Sequence, residues 1–466
     1  MADSGQLLPS QESRRARYAR GKALRKQSPR EKHGDFSGAH ERDPVAILAE
    51  TDRERIKRLL HIRYERMSAS PFAFLRGAAA VMAADLVGEP KTDIPVQGCG
   101  DCHLMNFGVF PSPEDNILFD INDFDETLPS VDFTFDLKRL AASVAVAAQA
   151  GGYSNGRARA FAAATAAAYR RHMQDLAILS PLEIWHSRID LAQQIASFSD
   201  PRLSKKLRGL LMKIGPELDR DDNFPRLVTV QKGPPRIADR AGSIFHLDLS
   251  DEDARLDGEK TFAAYLATLP PDRAAILSRC RLVDFAFKIV GVGSVGTFCA
   301  IGLFMSGDGE PIFLQIKQAT KSVLERVAPA SAWAADQGRR VVEGQRILQA
   351  ASDVFLGWVD DPAGGRQFYV RQLKNRHLGE VAELLEGEAL PAYARLCGRT
   401  LARAHARSGD PALISGYLGK GEAFDDAMAS FAMLYAKQTK KDHAALVAAK
   451  GAPQPANADQ SLARST

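Results

Sequence analysis

Residues 287–305, FKIVGVGSVGTFCAIGLFM, decide between two folds for this chain. They contain the spacing Gly291-x-Gly293-x-x-Gly296, which by itself is a weak indication of a dinucleotide-binding loop. Such a loop has to lead into a helix. The residues that follow, TFCAIGLFM, are apolar and aromatic and favour a strand. The stretch therefore predicts two strands joined by a glycine-rich turn.

The surrounding sequence predicts an α+β chain. Further strand patterns, PIFLQIKQA, VFLGWV and RQFYVRQLK, extend a β-rich block over about residues 280–375. Helical patterns cover about 46–90 and 132–225 before this block, and the chain from about 390 to 450 after it. Short strands and loops are expected at 93–125, where Gly, Pro, Asn and Asp separate the apolar runs.

A glycine-rich turn between strands can cover nucleotide phosphates with its backbone amides. Lys317 follows in the strand FLQIKQA, where a buried ammonium is costly unless it contacts an anion. The helix expected at 333–351 contains Glu343, which could orient this lysine, and Glu325 is a nearer alternative. A tight hairpin with a surface-directed lysine remains the alternative. The residues expected to contact a nucleotide are Gly291, Gly293, Ser294, Gly296, Lys317 and Glu343.

The loop at 98–108, GCGDCHLMNFG, combines a carboxylate, a histidine and an amide. Asp101 can accept a proton from an attacking hydroxyl, and Asn106 can bind a divalent metal ion through its amide oxygen. His103 could fix the loop by a hydrogen bond to backbone or carboxylate. The alternative is a structural loop of Asx turns with a satisfied histidine.

An apolar strand at 117–126, ILFDINDFDE, ends in closely spaced acids. Carboxylates this close repel one another unless they are exposed or bind cations, and Mg²⁺ prefers such oxygen ligands. Asp123 follows Asn106 closely enough for a hairpin to bring the two together. Asp123 and Asp120 are the predicted metal ligands together with Asn106, and Asp125 competes with them. A solvated acidic turn is the alternative.

The two cysteines in this loop raise the question of haem attachment, zinc binding or thiol redox chemistry. Cys99-Gly-Asp-Cys102-His103 has the letter pattern of a c-type haem attachment site. The first thirty residues show no apolar h-region, so no signal peptide for export is expected. A zinc site would need a second pair of ligands, and the other cysteines are isolated. A redox dithiol would normally open a helix in a βαβ unit. The two cysteines are therefore interpreted as incidental.

Composition indicates a cytoplasmic globular protein. The chain has 466 residues, of which 45% are hydrophobic and 25% charged, with a formal charge of +4. No apolar run of about 18 residues is present, so no membrane span is expected. Residues 12–32 are strongly basic, but no aromatic stacking pattern accompanies them, so a nucleic-acid partner is not expected. Residues 1–45 are expected to form a disordered basic arm.

Two motifs resemble a known superfamily. GDCHLMNFG and FDINDFDE resemble the catalytic and metal loops of the protein-kinase-like superfamily, in its aminoglycoside and choline kinase branch. LCGRTLARAHARSGD, at 396–410, resembles the helix that leads into the catalytic loop in that branch. From about residue 45 to 445 the chain is also similar to a bacterial family of domains of unknown function, which brings no established activity.

The kinase resemblance implies ATP and Mg²⁺ as cofactors and phosphoryl transfer as the reaction. It assigns Asp101 as catalytic base, Asn106 and Asp123 as metal ligands, and Lys317 as the phosphate lysine. The acceptor is not identified, although a small molecule is favoured over a protein. A nucleotide-binding pseudokinase and a nucleotidyl transferase are alternatives. A metal-dependent phosphoesterase using Asp101 and His103 is a further one, which leaves the glycine-rich turn unexplained.

The order of the motifs departs from the kinase pattern, since the glycine-rich turn and lysine follow the catalytic loop. A circular permutation of a two-lobe kinase-like fold would explain this order. The large helical lobe would then comprise 46–258 and 376–450, the small β-rich lobe 259–375, and 451–466 a disordered tail. Lys317 and Asp123 should then face each other across one cleft. Arg76 could add charge to that cleft or pair with the acidic strand end.

Overall fold

The computed structural model describes residues 11–37, 42–114, 116–197, 201, 204–205, 208–209, 223–229, 234–246, 256–328, 335–361, 365–373 and 389–451. The expected disordered tail, beyond its first residue, lies outside this part of the chain, as do the first ten residues of the expected arm. The fold is mixed α+β, as predicted. None of the helices within the described ranges is both long and apolar enough to cross a membrane.

The helices within the described residues are α1 (Arg14–Leu24), α2 (Pro44–Thr51), α3 (Leu60–Ser68), α4 (Pro71–Gly77), α5 (Ala79–Leu86), α6 (Phe133–Ala150), α7 (Asn155–Leu176), α8 (Pro181–His186), α9 (Leu191–Ser197), α10 (Asn223–Leu227), α11 (Gly258–Leu266), α12 (Pro271–Leu277), α13 (Gln337–Leu348), α14 (Leu390–Ser408), α15 (Pro411–Leu418) and α16 (Ala423–Lys450). The strands are β1 (Pro95–Gly98), β2 (Phe107–Pro111), β3 (Ile117–Ile121), β4 (Leu128–Asp132), β5 (Val228–Thr229), β6 (Arg236–Ile237), β7 (Ile244–Phe245), β8 (Cys280–Lys288), β9 (Cys299–Ser306), β10 (Pro311–Gln318), β11 (Gly357–Asp360) and β12 (Gln367–Gln372).

A six-stranded antiparallel sheet has the order β11-β12-β10-β9-β8-β7. β8 pairs with β9 up to Phe287 opposite Ala300, which confirms two strands joined by the glycine-rich turn. Alternation along β10 sends Leu314 and Ile316 into an apolar cluster that includes Tyr265 of α11. The opposite face of β10 therefore presents Lys317, which lies beside the acidic end of β3.

The helical part of the molecule joins segments that are far apart in sequence. Helix α14 packs against α7 and α6, and its Tyr393 hydroxyl donates a 2.7 Å hydrogen bond to the Leu104 carbonyl oxygen. On the same helix, His405 Nδ1 lies 2.9 Å from the Tyr169 hydroxyl, and Nε2 lies 3.2 Å from the Asp136 carboxylate. Helix α14 therefore packs against the segment that contains Asp101 and supports it.

The expectation that residues 1–45 are disordered is wrong for the part from Arg14 to Gly34. Helix α1 packs against α15, and Arg17 forms a 2.8 Å ion pair with Asp410. Arg25 and Arg30 donate to carbonyl oxygens at the C-terminal end of α15, which lack partners within their own helix. The basic residues that suggested a mobile arm therefore stabilise a helix end.

Candidate functional site

A cleft of about 710 Å³ lies where the glycine-rich turn meets the loops around Asp101 and Asp123. Its lining comes from residues 50–80, the loop 101–106, the strand end 123–126, the turn at 291–297 and residues 318–326. The predicted site residues that line it are Asp101, His103, Asn106, Asp123, Gly291, Gly293 and Ser294. Segments nearly two hundred positions apart in the sequence therefore contribute to one cleft.

The Asp101 loop is held by the first turn of α6. The Asp136 carboxylate accepts hydrogen bonds from the backbone N–H groups of Cys99 (2.7 Å) and Gly100 (2.9 Å). Gly100 has a φ of +86°, and a Cβ there would overlap the Glu126 backbone. Cys99 and Cys102 are free thiols, and burial raises the pKa of both above the ordinary value. This environment suits inert core cysteines and not metal ligands.

Asp101 is bound on one side and faces the cleft on the other. Its Oδ1 accepts a 2.6 Å hydrogen bond from Arg139 Nε and also forms an ion pair with Arg139 Nη2. Burial raises the pKa of the Asp101 carboxyl, and Arg139 opposes that rise. Oδ2 lies 3.6 Å from His103 Nε2. Burial and Arg139 hold the pKa of His103 well below its ordinary value, so this imidazole is neutral.

Asn106 and Asp123 are brought together by a hairpin, as the sequence predicted. β2 and β3 pair from Phe107 opposite Ile121, and the Asn122 N–H donates a 3.0 Å bond to the Asn106 carbonyl oxygen. The Asn106 side-chain nitrogen donates to the Asp101 carbonyl oxygen at 2.7 Å. Its amide oxygen is thus the atom suited to bind a cation. Burial, and then the charge of Asp125, raises the pKa of Asp123.

Lys317 forms an ion pair with Asp125, the second acid after the strand end. The same ammonium donates a 2.9 Å hydrogen bond to Ser294 Oγ, and Tyr369 donates to Asp125 Oδ1 at 2.7 Å. Burial favours the neutral form of both groups, but the ion pair outweighs it. The pKa of Asp125 is lowered by Lys317, and the pKa of Lys317 is raised well above its ordinary value by Asp125. The lysine, the glycine-rich turn and the acidic strand end are therefore directly connected.

The prediction that Glu343 orients Lys317 is wrong. Glu343 lies 3.5 Å from Arg346 on its own helix, α13, and does not line the cleft. Glu325, the nearer alternative, lines the cleft but is 3.5 Å from Gln337 Nε2. The residue that α13 directs towards the site is the buried Arg340, which donates to the Asp125 carbonyl oxygen at 2.8 Å. No sequence pattern distinguished Arg340 from the other charged residues of this helix.

Asp120 does not take part in the cleft either, which corrects its prediction as a metal ligand. It lies within β3, whereas Asp123 lies beyond the end of that strand. Its fully buried carboxylate forms an ion pair with Arg403 of α14 and accepts a 2.8 Å bond from the Ala350 N–H. Asp120 therefore has a structural role that depends on a helix nearly three hundred residues away.

Residues of the segment 55–66 hold the glycine-rich turn in place. Its Gly291 carbonyl oxygen accepts a 2.7 Å bond from Arg66 and its Val295 carbonyl oxygen a 2.6 Å bond from Arg55. The Ile56 N–H donates to the Gly296 carbonyl oxygen at 2.8 Å. These contacts, and the Asp101–Arg139 pair, were not predicted, since isolated arginines in helical sequence have no distinguishing pattern.

Within the described ranges, no three His, Cys, Asp or Glu side chains form a group that could hold a metal ion. Such a group is not required of a Mg²⁺ site in a nucleotide complex. There the ion keeps several waters and binds one or two carboxylates together with substrate phosphates. Asn106 and Asp123 would supply protein oxygens of the required kind.

A family model described as "Uncharacterized protein conserved in bacteria (DUF2252)" matches residues 55–449. The chain belongs to this family. The DUF2252 match includes the Asp101 loop, the acidic strand end, the glycine-rich turn and Lys317, so the whole constellation lies in the family region. No curated protein and no solved structure matches the chain.

Proposed function

We propose that this protein is an ATP- and Mg²⁺-dependent phosphotransferase with a circularly permuted, protein-kinase-like fold of two lobes. The observation that supports this most is that Lys317 binds Asp125 and Ser294 directly, and that these two residues line one cleft with Asp101, Asn106 and Asp123. A phosphoryl-transfer site needs these parts together: a phosphate cover, a phosphate lysine, metal ligands and a proton acceptor.

The proposed roles follow from the environment of each group. Asn106 and Asp123 would hold Mg²⁺, and a cation there would offset the burial and the repulsion by Asp125 that together raise the pKa of Asp123. Lys317 and the backbone of the glycine-rich turn would contact the nucleotide phosphates. Asp101 would orient the acceptor hydroxyl and receive its proton, while Arg139 holds the carboxylate in place.

The Lys317–Asp125 pair indicates how the site would change when a nucleotide binds. In the structure the ammonium is satisfied by Asp125 and Ser294. A cation bound at the strand end would compete with Lys317 for the Asp125 carboxylate. The lysine would then be available to the phosphates, so metal and nucleotide binding would reinforce each other.

The topology also supports the proposed architecture. Lys317 lies on the third strand of the β8–β9–β10 meander, whose first turn is rich in glycine, and protein kinases have the same arrangement. Helix α14, from the C-terminal part of the chain, packs against the Asp101 loop. In a permuted chain the segment that leads into this loop would come last.

Transfer of label from ATP tests the proposal. The protein is incubated with Mg²⁺ and a small-molecule extract of bacteria, using ATP labelled at the γ- or at the α-phosphate. A phosphotransferase labels a new compound from γ-labelled ATP alone, and Asp101→Asn abolishes the labelling. Label from the α-phosphate would identify a nucleotidyl transferase instead. Nucleotide binding without any transfer would identify a pseudokinase, and hydrolysis of phosphoesters without ATP a phosphoesterase.

A further inference from the structure

The lining of the cleft is rich in arginine. Arg53, Arg55, Arg63, Arg76 and Arg326 line it together with acids that include Asp101, Asp123, Asp125 and Glu126. Two of these arginines already have structural partners. Arg63 donates to Asp52 at 2.5 Å, and Arg55 donates to the carbonyl oxygen of Val295.

Arg76 differs from those two. It lies in the last turn of α4, whose start is capped by Ser70 accepting a 3.1 Å bond from the Ala73 N–H. The buried Nε atoms of all three lack a hydrogen-bond partner among the residues that the structure describes. Arg55 and Arg63 are nevertheless bound through Nη1, whereas the Arg76 guanidinium forms no hydrogen bond or ion pair within the described residues. Burial lowers the pKa of Arg76, and the nearest compensating carboxylate, Asp101, is already bound by Arg139. A partly buried guanidinium in this state is costly unless an anion binds it.

The position of Arg76 points to the acceptor and not to the nucleotide. A Cβ added to Gly293, at the tip of the glycine-rich turn, would lie 3.2 Å from the Arg76 carbonyl oxygen and 4.0 Å from Asp101 Oδ2. Lys317 does not itself line the cleft, and its ammonium is bound by Asp125. The cleft in front of Asp101 is therefore where an acceptor hydroxyl would approach, and Arg76 faces that space.

We propose that the acceptor is a small hydroxyl compound that also has a phosphate or carboxylate group, and that Arg76 binds this anionic group. The inference rests on the proposed phosphotransferase function. A cleft of about 710 Å³ falls within the range of small-molecule sites, about 300–1,000 Å³. An anion would be repelled by the acids around Asp123, so the cleft needs a positive group at the place where the anion binds.

With the anionic group on Arg76, the hydroxyl of the acceptor faces Asp101. Its oxygen forms a bond to the γ-phosphorus of ATP, and the bond from that phosphorus to the β,γ-bridging oxygen breaks. ADP leaves with the electron pair of that bond, and the hydroxyl proton passes to the Asp101 carboxylate. The products are ADP and the phosphorylated acceptor.

Calorimetric titration tests the inference on three probes that share one carbon skeleton: glycerol 3-phosphate, glyceric acid and glycerol. Each is titrated into the protein with Mg²⁺ and a non-hydrolysable ATP analogue. We expect the two anions to bind and glycerol not to bind, and their relative affinities show whether the site prefers phosphate or carboxylate. Binding of glycerol equal to that of the anions, or of none of the three, would overturn the inference.

Variants of Arg76 assign the effect to one residue. Arg76→Gln should weaken binding of the anions about tenfold or more, because it removes a charged hydrogen bond. It should leave binding of the ATP analogue unchanged, and Arg76→Lys should weaken the anions less. Arg159→Gln, at an exposed ion pair with Asp426, is the control. Weaker binding of the ATP analogue with unchanged anion binding would contradict the inference. Wild-type protein that binds no ATP analogue would contradict the proposed function itself.

Discussion

The ion pair between Lys317 and Asp125 should be strongly coupled energetically. The Lys317 side chain is 4% exposed and that of Asp125 is 25% exposed, so each charge depends on the other for most of its compensation. Removing one partner of a buried pair costs about 3–5 kcal/mol, because the remaining charge stays buried. The partial exposure of Asp125 places the expected cost of Lys317→Met near the lower end, at about 3 kcal/mol.

A double-mutant cycle measures this coupling. The free energy of unfolding in urea is determined for wild type, Lys317→Met, Asp125→Asn and the double variant. Since the double variant leaves neither charge uncompensated, we expect it to be about 2 kcal/mol more stable than the sum of the single effects predicts. The exposed pair of Lys260 and Asp257 serves as the control, and its coupling should be much smaller. Additivity within about 0.5 kcal/mol for Lys317 and Asp125 would refute the described pair.

Three further results are expected. Gly21→Ala should destabilise the protein by about 1–3 kcal/mol in urea unfolding, because the added Cβ would overlap the carbonyl group of Leu413. Gly156→Ala is the control and should not destabilise the protein, because no atom lies within 4 Å of the added Cβ. Burial lowers the pKa of Lys138 from 10.5 to about 8. As the pH rises from about 8 to about 10.5, the free energy of unfolding of wild type should therefore increase by up to about 3 kcal/mol relative to that of Lys138→Met. A difference between the two proteins that does not change with pH would contradict this. Cys99→Ser with Cys102→Ser should leave calorimetric binding of ATP and Mg²⁺ intact, and loss of binding in folded protein would show that the thiols are needed.

Local sequence was sufficient for the elements whose pairing is local. The β-type residues after Gly296 predicted the hairpin, and the apolar strand before Asp123 predicted the return towards Asn106. Both depend on alternation and on neighbouring turns, which a few residues encode. The positions of Asp101, Asn106 and Asp123 in one cleft follow from these local features.

The partners of charged groups could not be predicted, because they are set by the packing of distant segments. Asp120 and Asp123 look alike in sequence, yet Arg403 makes Asp120 structural. Glu343 was predicted to orient Lys317, but the ammonium of Lys317 forms its ion pair with Asp125. The basic arm was predicted to be disordered from its composition alone, which does not show that carbonyl oxygens of α15 would accept from Arg25.

The central claim is that ATP and Mg²⁺ bind together between Lys317 and Asp123. Calorimetry of ATP binding with and without Mg²⁺, on wild type, Asp123→Asn and Glu343→Gln, tests it most directly. We expect wild type and Glu343→Gln to bind ATP more tightly with Mg²⁺ than without it, and Asp123→Asn to lose that enhancement. Absence of ATP binding at any Mg²⁺ concentration, or an undiminished Mg²⁺ effect in Asp123→Asn, would contradict the claim.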